Sequence, residues 1–220
     1  MTRSGASGTG GAAAGAAARF AGVVPSAGAS VRMGRPKALL HVDGATFLER
    51  TVRTLRNGGC DPVFVVVAAG DEEAAREAAG AGARVIENPD PGEGPITSLR
   101  LALTALDDSA AGLVYLPVDH PLVRPETVRA LLEAARVSGS SLALPVHEGE
   151  RGHPAVFGAS LFAELSDPAL EGGARTVTYR HLDDALLVAV DDAGVLTDID
   201  TPEAYEEALG LRPHPGDVRR

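Results

Sequence analysis

The sequence has a single cysteine, a deficit of cationic residues and no long apolar run. Cys60 stands alone, so no internal disulfide bond can form, which excludes disulfide-stapled secreted scaffolds and zinc modules built on paired cysteines. The 20 lysine and arginine residues face 30 acidic residues, a formal net charge of −10 that disfavours a nucleic-acid partner. The longest apolar run, residues 63–69, is far shorter than the roughly 20 residues of a membrane-spanning helix. We therefore expect a soluble, cytoplasmic globular protein with neither a nucleic-acid nor a membrane partner.

The two ends of the chain differ from the rest in composition. Residues 1–19 are almost entirely glycine, alanine, serine and threonine, and this glycine-interrupted tract is too weakly apolar for a signal peptide. We interpret residues 1–19 as a disordered leader, residues 20–210 as one domain and residues 211–220 as a flexible tail. A chain of 220 residues is long enough to bury a substantial core without disulfides or metals.

Short runs rich in β-branched residues alternate with segments of helical periodicity after residue 20. The runs predicted as strands are 23–24, 63–67, 84–86, 113–116, 141–144 and 186–190. Apolar residues at helical spacing predict helices over 47–55, 99–106 and 128–135, with Gly58-Gly59 ending the first and Pro125 in the first turn of the third. Near-continuous apolar strands alternating with helices are typical of a parallel sheet covered on both faces. We therefore predict a single-domain, three-layer α/β/α fold with a mainly parallel, Rossmann-like sheet.

The segment after the first predicted strand is the first candidate for chemistry, because such sheets bind ligands beyond the carboxyl ends of their strands. Residues 26–37 combine small residues with the cations Arg32, Arg35 and Lys37. Small residues let backbone N–H groups approach an anion closely, and the cations add positive charge. The segment contains neither the P-loop pattern nor the Gly-x-Gly-x-x-Gly dinucleotide fingerprint. Its composition alone leaves a phosphate-binding loop and an ordinary basic turn equally open.

A longer pattern in this segment resembles the signature loop of the nucleotidyltransferases that activate molybdopterin, sugars and isoprenoid precursors. The residues that carry the resemblance are Ala27-Gly28-x-Ser30-x-Arg32-Met33-Gly34-x-Pro36-Lys37. Four later segments match in order, namely Asn88-Pro89 with residues 92–99, Asp119-His120-Pro121, Gly152-His153-Pro154 and Asp198-Ile199-Asp200-Thr201-Pro202-Glu203. The third of these is similar to a segment of molybdenum cofactor cytidylyltransferases. On these residues the chain is identified as a member of the MobA-like NTP transferase superfamily over about residues 22–209.

The resemblance implies a Mg²⁺-dependent transfer of a nucleoside monophosphate from an NTP to a phosphate acceptor, with release of pyrophosphate. It implies an NTP transferase domain over residues 20–210 that binds the nucleotide through Ser26, Ala27, Gly28, Ser30, Arg32, Lys37, Gly94 and Ser98. It implies Asp119 and Asp200 as metal ligands, and Arg32, Lys37 and Asp119 as catalytic residues. The acceptor-binding residues that it implies are Gly152, His153, Pro154 and Arg175. Because a phosphate nucleophile is already anionic, catalysis of this kind rests on positioning and charge neutralisation.

Simpler roles remain open for several of these residues at this stage. Asp119 precedes a proline and could only form a turn, and Asp200 could cap the last helix. His153 lies in a Gly-Pro turn, where an exposed histidine is common, and Arg175 could form a surface ion pair. Asp198 is expected to support its loop instead of the metal. His120 is adjacent to Asp119, but the sequence indicates no role for it.

Only the resemblance indicates which nucleotide is the donor and which molecule is the acceptor. In molybdopterin enzymes, alanine instead of glycine at the position of Ala27 favours CTP over GTP, because the methyl group leaves less room for a purine. The family loop usually has two alanines before the glycine, and in this sequence Ser26 replaces the first of them. The first hypothesis is therefore transfer of CMP from CTP to the terminal phosphate of Mo-molybdopterin, with a molybdoenzyme or its chaperone as a possible recipient.

Two alternatives are kept beside this hypothesis. One is a related enzyme that uses GTP as donor or a sugar or alcohol phosphate as acceptor. The other is a non-catalytic carrier of the molybdenum cofactor, whose expected mark is a broken metal site. The residues expected of an intact site are all present, namely Asp119, Asp200, Arg32 and Lys37. The sequence therefore favours an enzyme over a carrier.

Overall fold

The computed structural model describes residues 18–28 and 36–210. Within them the strands are β1 (Arg19–Pro25), β2 (His41–Val42), β3 (Ala45–Thr46), β4 (Val63–Ala68), β5 (Arg84–Asn88), β6 (Ala110–Tyr115), β7 (Leu142–His147), β8 (Glu150–Arg151), β9 (Ala155–Gly158) and β10 (Leu186–Ala189). The helices are α1 (Phe47–Gly58), α2 (Glu72–Gly80), α3 (Pro95–Thr104), α4 (Pro125–Ser138), α5 (Phe162–Ser166), α6 (Gly173–Arg180) and α7 (Pro202–Ala208). The predicted leader, apart from residues 18 and 19, and the predicted tail lie outside the described residues.

An eight-stranded sheet occupies the centre of the described chain, in the order β10-β7-β9-β6-β1-β4-β5, with β8 paired to β7. The β1, β4, β5 and β6 strands run parallel to one another, as do β7 and β10. The exception in the main order is β9, which is antiparallel to both β6 and β7. The mainly parallel sheet confirms the predicted α/β class.

Two apolar cores lie on opposite faces of this sheet. Successive strand residues point to opposite faces, so Val23 and Val66 join one core while Val24 and Val65 join the other. One core packs against α1, α2 and α4, and the other packs against α3, α5 and α6. The predicted three-layer arrangement is therefore present.

The local signals of the sequence mark most element ends correctly. Each predicted strand overlaps an observed one. The α1 helix ends at Gly58 and is capped by Gly59, whose φ of 104° is the left-handed conformation that favours glycine. Pro125 is the first residue of α4, as predicted. The β9 strand has no counterpart among the predicted strands, because its four residues directly follow Gly152-His153-Pro154 and are too short a run to show a strand pattern.

The register of the central strands brings the candidate segments to one edge of the sheet. Val23 of β1 pairs with Tyr115 of β6, and Tyr115 pairs in turn with Ala155 at the start of β9. Because β9 runs in the opposite direction, its first residue lies level with the ends of β1 and β6. The segments that follow β1 and β6 therefore meet the segment that precedes β9. Among the described residues, no helix has the length and apolarity needed to cross a membrane.

Candidate active site

Three charged residues from distant parts of the chain meet at this edge. Lys37 begins a short 3-10 turn after the signature loop, Asp119 lies in the turn after β6, and Asp200 lies just before α7. The Lys37 ammonium is 3.6 Å from Asp119 Oδ2 and also forms a hydrogen-bonded ion pair with Asp200. The backbone N–H of Ile199 donates to the carbonyl of Asp119 over 2.9 Å, which joins the two acidic segments directly.

The carboxyl group of Asp119 has an environment that favours a cation. Its Oδ1 atom is buried and has no hydrogen-bond partner among the described residues. Burial raises the pKa of Asp119; the Lys37 ammonium opposes that shift, and the neighbouring Asp200 and Asp198 carboxylates reinforce it. A buried carboxylate with an open oxygen and a second carboxylate beside it gains from a further positive charge.

The donor set fits a magnesium ion that shares its coordination with a substrate. Within the described residues, no group of three or more histidine, cysteine or acidic side chains could hold a metal ion by itself. Mg²⁺ prefers oxygen ligands and is commonly held by one or two carboxylates together with substrate phosphates and water. Asp119 and Asp200 supply such a pair, so the site fits a cation that a nucleotide helps to hold.

The structure removes one of the simpler roles for Asp200. The residue that caps α7 is Thr201, whose hydroxyl accepts a hydrogen bond from the backbone N–H of Ala204 over 3.2 Å. Asp200 therefore does not cap the helix, and its carboxylate is directed to Lys37 instead.

The residues predicted to bind the nucleotide are only partly covered by the structure. Ser26 and Ala27 are buried at the end of β1, Gly28 is exposed, and Ser30 and Arg32 lie outside the described residues. The backbone N–H of Ser26 donates to the carbonyl of Val66 over 2.8 Å. Its hydroxyl oxygen is buried without a hydrogen-bond partner in the described part of the chain.

Gly94 and Ser98, predicted to bind the same ligand, lie in different environments. Gly94 precedes α3 with a φ of 93° and lines the large cavity described below. Ser98 is buried within α3, where its hydroxyl accepts a hydrogen bond from Asn88 Nδ2 over 3.2 Å. Asn88 Nδ2 also donates to the Thr97 hydroxyl over 2.8 Å. Asn88 thus joins the end of β5 to the first turn of α3, and Ser98 does not line the cavity.

A cavity of about 720 Å³ lies beside the charged cluster, between the start of α3, the strands β6 and β9, and α6. Its walls include the apolar residues Ile96, Leu144, Phe157 and Leu182 and the aromatic residues Tyr115 and Tyr179. The polar side chains at its surface include Arg151, His153 and Arg175. This size and mixture of apolar walls with few polar groups are typical of a small-molecule site.

The Gly-His-Pro segment closes one end of this cavity. Gly152 and His153 line it, whereas Pro154 is buried and does not. A Cβ atom on Gly152 would lie 2.1 Å from the carbonyl oxygen of Val195, so only glycine fits there. The backbone N–H of His153 donates to the same carbonyl over 2.9 Å. The close approach fixes the main chain that carries His153.

Arg175 lies on the opposite side of the cavity, on α6. Its guanidinium carbon is 5.4 Å from the centre of the Tyr179 ring, and its Nη2 atom lies 3.4 Å from the Tyr179 hydroxyl. Both side chains are exposed, so this contact leaves Arg175 accessible to a ligand in the cavity.

His120 is the residue at this site that the sequence did not assign. Its side chain is almost fully buried, and its ring centre lies 4.4 Å from that of His153. Burial lowers the pKa of each imidazole to about 4, and the His120 ring adds to the lowering at His153. Both rings are therefore neutral near pH 7. The only local signal was the position of His120 directly after Asp119.

A second unassigned residue, Asp192, anchors the segment that carries Asp200. Its buried carboxylate accepts hydrogen bonds from the Arg124 backbone N–H over 2.9 Å, the Thr127 hydroxyl over 2.6 Å and the Gly194 backbone N–H over 3.1 Å. These bonds fasten the segment to the first turn of α4. Because α4 follows the Asp119 turn along the chain, Asp192 fixes the two acidic segments relative to each other.

Comparison with known proteins agrees with this geometry. The model of the MobA-like NTP transferase domain matches residues 22–185, which is most of the chain. The chain belongs to the MobA-like NTP transferase family. As a member of that family it is a nucleotidyltransferase, and its substrates include small-molecule nucleotides.

Relatives of this NTP transferase carry different names. It is 31% identical over 195 residues to the probable molybdenum cofactor guanylyltransferase of Mycobacterium avium (strain 104), covering 87% of this chain and 95% of that one. It is 25% identical over 189 residues to the molybdenum cofactor cytidylyltransferase of Escherichia coli (strain K12), covering 83% and 92%. It is 38% identical over 208 residues to the bifunctional IPC transferase and DIPP synthase of Rubrobacter xylanophilus, covering 77% of this chain but only 46% of that protein.

A solved structure supports the fold of this NTP transferase. The crystal structure of Rv0371c from Mycobacterium tuberculosis H37Rv superposes with a TM-score of 0.77 at 27% identity, covering 89% of this chain and all of that one. The similarity extends over both halves of the sheet, including the part beyond residue 185.

Proposed function

We propose that this nucleotidyltransferase transfers CMP from CTP to the terminal phosphate of Mo-molybdopterin and releases pyrophosphate. The observation that carries the proposal is the position of the Lys37–Asp119–Asp200 cluster beside a cavity that Gly152 and His153 line. The charged cluster offers charges suited to a triphosphate and a cation. The cavity offers an apolar space for an acceptor.

The residues of the charged cluster would divide the work between them. Asp119 and Asp200 would hold Mg²⁺, which when bound would neutralise charge on the phosphate oxygens. Lys37, and by resemblance Arg32, would hold the triphosphate and stabilise charge that develops on the departing pyrophosphate. The nucleophile is an anionic phosphate, so no side chain needs to remove a proton from it.

The acceptor would occupy the adjoining cavity, with the attacking phosphate near His153. Gly152 and Pro154 would support His153, and Arg175 would contact the acceptor from the opposite wall. We expect the reaction in the cytoplasm, and we propose a molybdoenzyme or its chaperone as the recipient of the product.

Ala27 supports CTP as the donor. The support comes from the resemblance, in which alanine at this position leaves less room for a purine; in the structure Ala27 is 7% exposed just after β1. GTP is the second candidate donor, because the relative from Mycobacterium avium is named a guanylyltransferase.

Pyrophosphate release tests the proposal with Mg²⁺, Mo-molybdopterin and each of CTP, GTP, ATP and UTP supplied separately. We expect release with CTP alone, and we expect Ala27→Gly to raise the rate with GTP while leaving the rate with ATP at background. A preference for GTP in the unaltered protein would overturn the choice of donor. Release that needs a sugar phosphate in place of Mo-molybdopterin would overturn the choice of acceptor, and no release with any of the four would overturn the proposed reaction.

A further inference from the structure

His120 occupies a fixed position between the charged cluster and the cavity. Its backbone N–H donates to the carbonyl of Pro117 over 3.1 Å, and its own carbonyl accepts from the backbone N–H of Val123 over 3.4 Å. Its Nε2 atom is 3.9 Å from Asp119 Oδ1. The backbone bonds on both sides hold the main chain of His120, and backbone groups of Gly194 and Thr197 interact with its ring.

The burial of this imidazole is difficult to explain by packing alone. The Nδ1 atom of His120 is buried and has no hydrogen-bond partner among the described residues. A buried polar atom without a partner destabilises a fold, and an apolar side chain of similar size would avoid that penalty. The position therefore calls for a role in the site.

The face of the His120 ring lies against the ring of His153. Their centres are 4.4 Å apart and their planes are inclined by 36°, which is close contact between two planar groups. Within residues 18–28 and 36–210, no hydrogen bond to the ring of His153 accompanies this contact. The main chain of His153 is held by Val195, and its ring contacts the ring of His120.

We propose that His120 is a positioning residue that holds the His153 ring against the acceptor cavity. The inference rests on the proposed function, in which His153 contacts the acceptor. His120 covers one face of the ring and leaves the remainder at the cavity surface, where a ring N–H can donate to an oxygen of the acceptor. Pre-orientation of this kind lowers the cost of ordering a side chain when the ligand binds, and small displacements near reacting groups reduce rates strongly.

The first test needs no ligand. The side-chain torsion of His153 is measured by NMR through its three-bond couplings, with the signals assigned by their absence in His153→Ala. We expect couplings of a single rotamer in the unaltered protein and in His120→Phe, which keeps a planar ring over His153. We expect averaged couplings in His120→Ala. A single rotamer in both variants would overturn the proposal, because the ring of His153 would then be fixed without His120.

The second test uses a double-mutant cycle in the nucleotidyl transfer assay. His120→Ala should raise the KM for the acceptor about 10-fold and change the KM for CTP less than about 2-fold, while His120→Phe should stay within about 3-fold of the unaltered protein. In a His153→Ala background, His120→Ala should add no further loss. Multiplying losses would show that His120 acts independently of His153, and a rise in the KM for CTP as large as that for the acceptor would show that it acts on the charged cluster; either result would overturn the proposal.

Controls separate this inference from the proposed function and from misfolding. His41→Ala, at the exposed position of β2, should leave every readout unchanged. Thermal melting identifies any variant that fails to fold. If His120→Ala fails to fold, both tests use His120→Phe alone. Loss of the single His153 rotamer in His120→Phe would then count against the proposal. If the unaltered protein makes no product, the proposed function fails, while the couplings of His153 still decide whether His120 positions the ring.

Discussion

The half of the sheet formed by β1, β4 and β5 differs from the half formed by β7, β9 and β10 in strand direction and in the chemistry at its edge. The first half is entirely parallel, and the charged residue Lys37 follows β1 in the sequence. The second half contains the antiparallel β9, and its edge lines an apolar cavity. A reversed strand presents its amino end where parallel strands present their carboxyl ends. The reversal is therefore what brings Gly152-His153-Pro154 beside Asp119.

The comparison predicts that substitutions in the charged cluster and substitutions around the cavity have different effects on the reaction. Changes in the charged cluster should reduce turnover with any acceptor, whereas changes around the cavity should act on acceptor binding and on the stability of the second half.

Asp119→Asn should lower kcat by about 1000-fold, because an amide keeps the shape of the carboxylate but removes the charge that would hold the cation. The melting temperature should stay the same or rise, since burial already disfavours the charged form of Asp119. Pyrophosphate release over a range of Mg²⁺ concentrations measures the effect. The matched control is Asp198→Asn, an exposed neighbour, for which we expect less than a 3-fold change. Equal losses in the two variants would contradict the assignment of Asp119.

Acidification should destabilise the protein through His120 and His153. Their pKa values lie near 4 in the folded protein, below the ordinary value of 6.5, so between these values protons bind the unfolded chain preferentially. Stability from this source is fully present above pH 6.5 and is lost as the pH falls towards 4. Between pH 7 and pH 5 each histidine should lower the free energy of unfolding by about 2 kcal/mol.

Urea unfolding at several pH values without added metal measures this loss. The variant with His120→Gln and His153→Asn together should show a flatter profile, and His41→Gln should keep the original slope. If the double variant retains the original slope, the two imidazoles are not the source of the pH dependence.

Gly152→Ala should lower the free energy of unfolding by about 1–3 kcal/mol, because the added methyl group would collide with the Val195 carbonyl. The KM for the acceptor should rise while the KM for CTP stays constant. Gly80→Ala, at the end of α2 with open space around the new methyl group, is the control and should be neutral or slightly stabilising. A neutral Gly152→Ala variant would show that the turn before β9 is not tightly packed.

Arg175→Ala should raise the KM for the acceptor about 3- to 5-fold, a small effect because the guanidinium is exposed and screened by water. Arg180→Ala is the matched control, since Arg180 lies on the same helix but pairs with Glu164 over 2.8 Å. We expect no change in steady-state kinetics for the control. An equal effect of both variants would place Arg175 among ordinary surface charges.

Much of the first half of the sheet could be predicted because its signals are local. Runs of valine mark β1 and β4, and Gly59 marks the end of α1. The approach of Lys37 to Asp119 also follows from a general rule, since the carboxyl ends of parallel strands share one edge.

The parts that could not be predicted depend on contacts between distant residues. The β9 strand is only four residues long and is defined by its pairing with β6 and β7, for which the sequence carries no local signal. The contact between the His120 and His153 rings arises because two separate turns meet at one edge. The bonds of Asp192 to Arg124 and Thr127 likewise join residues more than 60 positions apart. The roles of Ser30 and Arg32 stay predictions, because both residues lie outside the described part of the chain.

Transfer of labelled phosphorus from CTP tests the central claim most directly, namely that the two halves together perform nucleotidyl transfer. The protein is supplied with Mg²⁺, Mo-molybdopterin and CTP labelled with ³²P at either the α or the γ phosphate. We predict that the α label appears in the acceptor product and that the γ label leaves as pyrophosphate. Recovery of the γ label in the acceptor, or of neither label, would contradict the account.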